Sequence, residues 1–176
     1  MIKKLYTNIE IPKNINDNIN CTYGEILPSS IKKIFNHINL YNKTFLDIGS
    51  GLGKIVLQVA IDYPIKKSYG IEICQNKYLI SNIVKNKLNQ NLQDKIIFYN
   101  EDIFNCQFLY YDIILFSNIC FNEKQNNKIA NLIRKNKNII LICLKKIDIL
   151  QNYLKYYLNN IETSWSSNTT AYYYYL

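Results

Sequence analysis

Three of the five glycines in the chain fall within five positions, at Gly49, Gly51 and Gly53. Asp47 stands two residues before them, and apolar residues lie on both sides of the stretch. Closely spaced glycines allow positive φ angles and let a backbone approach a ligand closely. When such a loop leads into a helix, free N–H groups face a crevice that can hold a nucleotide. The spacing G-x-G-x-G differs from that of dinucleotide enzymes. The stretch predicts a nucleoside-type site, and the alternative is an ordinary turn with incidental glycines.

Two further acids follow predicted strands. Glu72 lies nineteen positions beyond Gly53, near the offset at which an acid meets ribose hydroxyls in nucleotide-binding folds. Asp102 follows the third predicted strand. For each single acid, a helix cap or a solvated turn is an equally good interpretation. Because the carboxyl ends of parallel strands share one sheet edge, Asp47, Glu72 and Asp102 together predict one binding crevice.

The elements that would position these residues are read from apolar periodicity. Strands are predicted at 45–48, 67–72, 96–99, 112–116 and 138–144. Helices are predicted from Pro28, after the glycine loop as far as 62–63, at 76–89 and at 123–134. The third helix has the apolar members Leu79, Ile80, Ile83, Val84 and Leu88. Strands that alternate with helices predict an α/β fold with a mostly parallel sheet and helices on both faces. The Tyr-rich segment 150–176 predicts a closing antiparallel hairpin.

Composition narrows the class of protein. At 176 residues, with a hydrophobic fraction of 48%, the chain predicts one globular domain. A net charge of +8 suggests an acidic partner such as nucleic acid or nucleoprotein, although AT-rich coding would also enrich lysine. The five cysteines form no C-x-x-C pair, so we expect no metal site and a reducing intracellular compartment. No apolar run approaches the ~20 residues of a membrane span.

The acid followed by closely spaced glycines resembles the first motif of S-adenosylmethionine (SAM) methyltransferases. This resemblance implies SAM as the cofactor and a Rossmann-like class I fold, with a seven-stranded sheet that ends in an antiparallel hairpin. SAM requires close backbone, an acid for the ribose and polar groups around the adenine. Asp47, Gly49, Gly51 and Glu72 fit the first two requirements, and Asp102 is placed for the adenine edge.

A closer resemblance rests on motifs that recur in a fixed order. These are Tyr23-Gly24-Glu25, the loop continuation Ile55-Val56-Leu57-Gln58-Val59-Ala60, Tyr69-Gly70-Ile71-Glu72, Asn118 with Phe121, and Ser164-Trp165 followed by Tyr172-Tyr173. Over roughly residues 22–176 the chain resembles the non-SET histone-lysine methyltransferases, the disruptor-of-telomeric-silencing class. The resemblance implies a lead segment at 1–21 and a catalytic domain at 22–176.

The resemblance also implies roles for individual residues. Tyr23, Gly24 and Glu25 would fold over the methionine moiety of SAM, Glu72 would bind the ribose, and Asp102 with Ile103 or Phe104 would bind the adenine. The remaining cofactor-binding set would be Asp47, Gly49, Ser50, Gly51, Gly53 and Gln58. Asn118 would lie beside the transferred methyl group, and Phe121, Trp165 and Tyr172 would line a channel for the lysine side chain. Simple core packing is the alternative for these aromatic residues.

The sequence therefore predicts a SAM-dependent protein-lysine N-methyltransferase that acts on a core-histone lysine in nucleosomes, with a basic surface that can contact DNA. Chromatin, and hence the nucleus, is the expected location. The alternatives are a non-histone protein substrate, a nucleic-acid or small-molecule substrate, and a catalytically silent SAM-fold binding module. The Asn/Asp-Pro-Pro-Tyr motif of base methyltransferases is missing after the fourth strand, where Ser117 to Phe121 stand. His37, the sole histidine, is expected at the surface.

Overall fold

A seven-stranded sheet organises the protein, in the order β3-β2-β1-β4-β5-β7-β6. The computed structural model describes residues 2–7, 9, 24–106, 108 and 111–176. The strands from β1 to β5 run parallel, whereas β7 is antiparallel to both β5 and β6. The strands are β1 (Thr44–Ile48), β2 (Lys67–Ile71), β3 (Ile96–Tyr99), β4 (Ile113–Phe116), β5 (Ile140–Cys143), β6 (Leu154–Ile161) and β7 (Thr169–Tyr175). The predicted mostly parallel sheet with its C-terminal hairpin is confirmed.

Helices cover both faces of this sheet. They are α1 (Ile2–Leu5), α2 (Pro28–Phe35), α3 (Lys54–Asp62), α4 (Gln75–Lys85), α5 (Gln90–Gln93) and α6 (Glu123–Ile133). Successive residues of a strand point to opposite faces. Phe45 therefore joins the core under α2 and α3, while its neighbour Leu46 joins the core under α6. Because both faces are covered, β1 and β4 are buried almost throughout, and every residue of β4 is apolar.

The glycine loop connects β1 to α3 and depends on its glycines. Gly49, Gly51 and Gly53 have φ angles of 73°, 54° and 79°, the left-handed region that side chains disfavour. Gly53 precedes α3 directly, and a Cβ atom there would lie 2.5 Å from a ring carbon of Phe98. The predicted strand, glycine turn and helix are therefore confirmed, and the turn ends at the carboxyl edge of the sheet.

The predicted third helix is wrong in its extent, and only some of its apolar members are buried. It ends at Lys85, and the chain then starts α5, whose first turn is capped by Asn89 through a 3.1 Å bond from Leu92 N to Asn89 Oδ1. Ile80 and Val84 are buried, but Leu79 and Ile83 are 47% and 53% exposed. A helix that packs on one face of a sheet buries one stripe, and apolar residues one position away point outward.

The lead segment packs behind the glycine loop. Ile2 of α1 is buried in the same core as Leu52 and Val56. The Tyr6 hydroxyl donates a 2.7 Å hydrogen bond to the Leu52 carbonyl, and burial raises the pKa of this phenol. These contacts support the back of the loop. The predicted division of the chain at residue 21 falls outside the described residues and stays a prediction.

Candidate active site

A cavity of about 320 Å³ opens at the carboxyl edge of the sheet. Its walls come from the glycine loop, from the residues that follow β2 and β4, from Gly24–Ile26 and from Trp165. Of the predicted site residues, the structure brings nine of the described ones together here: Glu25, Asp47, Gly49, Ser50, Gly51, Glu72, Phe121, Trp165 and Gly24. Tyr23 lies outside the described residues.

Glu72 fixes the shape of the glycine loop. One carboxylate oxygen accepts a 2.8 Å hydrogen bond from Gly51 N, and the other accepts one of 2.8 Å from Cys74 N. The Ile71 carbonyl accepts from both Gly49 N and Ser50 N, each at 2.9 Å. The carboxylate is only 7% exposed and still lines the cavity. Since each carboxylate oxygen can accept more than one hydrogen bond, Glu72 can hold the loop and also meet a ligand.

Asp47 forms the floor of the cavity beside Glu72. Burial, and then the charge of Glu72, hold the pKa of the Asp47 carboxyl well above its usual range. Two acids in one buried space repel each other when both are ionised. Two positive side chains also line the cavity, namely Lys77 and Lys54. A ligand that brings positive charge to Asp47 and Glu72 would relieve this repulsion.

A two-segment flap closes one side of the cavity. Glu25 N donates to Ser164 Oγ at 3.0 Å, and Ser164 N donates to the Glu25 carbonyl at 2.7 Å. The Glu25 carboxylate pairs with Lys54 Nζ at the start of α3. A Cβ atom at Gly24 would overlap the Trp165 ring, so the indole rests directly on the glycine backbone. Residues from the two ends of the chain thus form one wall.

The Ser50 hydroxyl is buried without a partner. The residue is 8% exposed, and its hydroxyl has no hydrogen-bond partner among the described residues. A Cβ atom at Gly70 would lie 2.7 Å from the hydroxyl oxygen, so the hydroxyl packs against the backbone of β2. A buried polar group without a partner costs about 1–3 kcal/mol.

Phe121 forms the opposite wall, in the segment that follows β4. Its ring packs edge-on against Phe116, with ring centroids 4.9 Å apart. Ser117, Ile119 and Cys120 line the cavity with it. Two of the three predicted channel aromatics, Phe121 and Trp165, therefore face the same space.

The side chain of Asn118 is turned away from the cavity, contrary to the prediction that it lies beside the reacting methyl group. The residue is 0% exposed. Its Nδ2 donates to the Lys145 carbonyl at 2.9 Å and to Asn126 Oδ1 at 3.1 Å, and its Oδ1 accepts from Lys145 N at 2.7 Å. Both polar atoms of the Asn118 side chain therefore have protein partners. Through Lys145, the side chain joins the loop after β4 to the loop after β5.

Asn126 of α6 completes this connection and was missed by sequence reasoning. It is 3% exposed, and its Nδ2 donates to the Phe121 carbonyl at 3.1 Å. The signal was present in the sequence, because Asn126 occupies the same helical stripe as Ile129, Ala130 and Ile133. A polar residue on an otherwise buried stripe must find a hydrogen-bond partner. The pair Asn118–Asn126 therefore holds the segment that carries Phe121.

Other predicted residues do not line the cavity. Gln58 is buried in α3, where its amide donates to the Pro28 carbonyl at 3.0 Å. Tyr172 lies on β7 opposite Cys143 and packs near Tyr157, with ring centroids 6.3 Å apart. Residue type and position in a motif do not determine where a side chain points. The directions of Gln58 and Tyr172 are determined by their buried contacts in α3 and β7.

The predicted adenine-side residues lie at the same sheet edge but outside the cavity lining. Asp102 Oδ1 accepts a 2.9 Å hydrogen bond from Phe104 N and caps a short 3₁₀ turn, Ile103–Asn105. Ile103 is buried in the core beneath α6. Gly53 likewise serves as the start of α3. The cap was the alternative interpretation of Asp102, and it is the one the structure shows.

Further expectations concern metals and membranes. His37 is exposed, as predicted. The described residues contain no group of His, Cys, Asp and Glu side chains that could hold a metal ion. Across the described ranges, every helix is too short or too polar to cross a membrane.

Comparison with solved structures identifies the class of fold. An RNA methyltransferase from Salinibacter ruber in complex with S-adenosyl-L-homocysteine is 15% identical, with a TM-score of 0.67 over 83% of this chain and 89% of that one. Magnesium protoporphyrin IX methyltransferase from Synechocystis PCC 6803, with bound SAM, is 11% identical, with a TM-score of 0.69 over 99% of this chain and 89% of that one. The fold is that of the class I SAM methyltransferases, as predicted.

Sequence comparison identifies the family within that class. A family model described as "Histone methylation protein DOT1" matches residues 7–153, and the chain belongs to this family. The resemblance drawn from the motifs is confirmed. A histone-lysine N-methyltransferase from Candida glabrata, described as H3 lysine-79 specific, is 26% identical over 185 residues that cover 88% of this chain. The chain spans 28% of the length of that relative.

Proposed function

We propose that this protein is a SAM-dependent protein-lysine N-methyltransferase that acts on a core-histone lysine of the nucleosome. The observation that carries the proposal is the cavity itself, in which the glycine loop and two acids face the aromatic residues Phe121 and Trp165. Membership of the DOT1 family supports the histone substrate. Such a substrate would place the activity at chromatin.

The cavity fits SAM in charge and in hydrogen bonding. Glu72 would accept from the ribose hydroxyls, and Asp47 would face the positive charge of SAM. Glu25, held by Lys54, would close over the amino-acid end. When bound, SAM supplies a methyl group on a positively charged sulfur. Ile73, which lines the cavity next to Glu72, would contact the base instead of the buried Ile103.

The aromatic wall would prepare the lysine for reaction. A lysine of pKa ~10.4 is neutral in only about one molecule in a few thousand at pH 7. Phe121 and Trp165 would exclude water from its amine, which disfavours the charged form and lowers its pKa. They would also hold the amine in line with the transferred methyl group, a positioning effect worth up to about 7–11 kcal/mol. Aromatic faces still accept a methylated, cationic product.

Asn118 and Asn126 would act as positioning residues in this reaction. Neither side chain lines the cavity, and together they hold Phe121 and Lys145. Their contribution to turnover would therefore pass through the geometry of the wall and not through contact with the reacting atoms.

A methyl-transfer assay with parallel substrates tests the proposal. SAM labelled in its methyl group is offered to nucleosomes, free core histones, duplex DNA and RNA, and label is expected in a histone lysine. Label in nucleic acid alone would overturn the lysine assignment. Tight SAM binding without transfer to any of the four would indicate a silent binding module. Phe121→Ala serves as the matched variant, because it should retain SAM binding and lose turnover.

A further inference from the structure

Half of the net charge of the protein is concentrated in one helix and its C-terminal end. Residues 122–137 contain five basic side chains and one acid, a net charge of +4 out of +8 for the chain. The basic residues are Lys124, Lys128, Arg134, Lys135 and Lys137. Coding bias toward lysine acts on the whole sequence, so it does not account for this local concentration.

Three exposed lysines form a stripe along α6 and just beyond its end. The buried side of the helix carries Ile129, Ala130 and Ile133. Lys124 and Lys128 lie one turn apart on the exposed side of α6. Lys135 is exposed in the turn that follows the helix, and all three lysines line one open groove. Asn127 and Asn131 border the same open groove as these lysines.

The lysines of this stripe form no ion pair with the described residues, although Glu123 lines the same groove. Between described residues, ion pairs join Lys43, Lys54 and Lys146 to carboxylates, and none involves a cation of α6. Lys128 instead has its ammonium 4.3 Å from the centroid of the Phe104 ring. This contact orients the ammonium and leaves its charge available to an anion.

From this concentration of positive charge we infer that the stripe Lys124–Lys128–Lys135 binds the phosphate backbone of duplex DNA. Lysine and asparagine side chains are typical donors to DNA phosphates. A protein partner is disfavoured, because the centres of protein interfaces are enriched in aromatic residues and arginine and depleted of lysine. Single-stranded nucleic acid is disfavoured as well, because its binding sites present aromatic faces for base stacking, whereas the groove beside the stripe is lined by polar side chains and Leu132.

The position of the stripe relates it to the cavity. Asn122 caps α6 by accepting from Gln125 N at 2.9 Å, and it follows Phe121 directly. The stripe therefore begins beside the aromatic wall and extends away from it. DNA bound there would place a DNA-wrapped protein substrate next to the channel. Only this last step rests on the proposed function, since DNA binding needs no methyl transfer.

Direct binding of a labelled DNA duplex, measured by fluorescence anisotropy over a range of salt concentrations, tests the inference. The variant Lys124→Gln/Lys128→Gln/Lys135→Gln should bind more weakly. Its plot of log affinity against log salt should be shallower by about 2.7, at about 0.9 per lost phosphate contact. The control Lys32→Gln/Lys66→Gln/Lys155→Gln removes the same charge from exposed lysines elsewhere and should retain most of the slope.

Three outcomes would overturn the inference. Equal losses in the two triple variants would show that net charge alone drives binding. An unchanged slope in the α6 variant would show that DNA binds elsewhere. Equally tight, stripe-dependent binding of an acidic polypeptide would favour a protein partner. Methylation of free histones is measured alongside and should be unchanged by the α6 variant. If the wild-type protein methylates no histone but binds DNA through the stripe, the proposed function fails and this inference stands.

Discussion

Replacing Asn126 with alanine tests whether a buried amide positions the wall of the cavity. The side chain donates to the Phe121 carbonyl and accepts from Asn118, both at 3.1 Å. Truncation removes both hydrogen bonds. The Asn118 N–H group stays buried without that partner, which costs about 1–3 kcal/mol, and the lost bond to the Phe121 carbonyl costs about 1 kcal/mol more. Alanine recovers up to about 0.7 kcal/mol of helix propensity. The expected loss of unfolding free energy is about 2–3 kcal/mol.

Urea denaturation of the ligand-free protein measures this loss, and Asn127→Ala is the matched control. Asn127 is the next residue of the same helix and is half-buried at the surface. The control gains the same helix propensity and should be neutral or slightly more stable. An Asn126→Ala protein as stable as the control would show that the amide pair contributes nothing to the fold.

Kinetics of the same variant separates positioning from folding. Among the described residues, the Asn126 side chain hydrogen-bonds to Phe121 and Asn118 and not to the glycine loop. SAM affinity should therefore stay within about twofold under conditions in which the variant is folded. Since Phe121 loses the bond that holds its carbonyl, kcat should fall and KM for the lysine substrate should rise. Loss of SAM affinity in parallel with kcat would refute the reasoning, because it would indicate a general loosening of the sheet edge.

Further predictions concern the cofactor side and the flap. The pKa of Asp47 is higher in the folded protein than its unfolded value of about 3.9. The stability that the protonated carboxyl contributes is therefore fully present below the unfolded pKa, and it is lost as the pH rises through the folded pKa. Asp47→Asn should therefore flatten the fall of unfolding free energy with rising pH, as measured by urea denaturation across pH 4–8, and should weaken SAM binding. Glu72→Gln would turn an amide N–H group toward the backbone N–H group of Gly51 or Cys74. Because a hydrogen bond to a charged group is worth about 1.5–3 kcal/mol, SAM affinity measured by calorimetry should fall at least about tenfold. Unchanged affinity would contradict the role of Glu72. Gly24→Ala should displace Trp165, the only tryptophan, and shift the intrinsic fluorescence; an unchanged spectrum would contradict the packing.

Sequence reasoning succeeded where the chemistry is local in the chain. The acid, the three glycines and the following helix lie within one strand–turn–helix unit, so their spacing determines their geometry. The position of Glu72 is predicted from its distance along the chain beyond the glycines. This distance was informative because β2 pairs in parallel with β1 and ends at the same edge of the sheet. The part of the cavity formed by Asp47, the glycine loop and Glu72 was predictable for this reason.

Sequence reasoning failed where a side chain could point in either of two directions. Asn118 follows β4 as predicted, yet its amide faces Lys145 instead of the cavity. Gln58 and Tyr172 occupy their predicted elements but contact the core. Leu79 and Ile83 show the same ambiguity on α4, where apolar residues face outward. Such directions depend on partners distant in sequence, which periodicity does not reveal.

The side of the cavity formed by Phe121 and Trp165 depends on contacts of this long-range kind. Trp165 reaches the cavity where Glu25 and Ser164 bond to each other across 139 positions of the chain. Asn118 ties the segment that carries Phe121 to Lys145, 27 positions further along the chain. The glycine loop is held by Glu72, which directly follows the neighbouring strand β2. A substitution in the amide pair can therefore alter the proposed lysine channel while the loop that would bind SAM keeps its shape. Changes at Asn126 should thus appear in substrate KM, and changes at Glu72 should appear in SAM affinity.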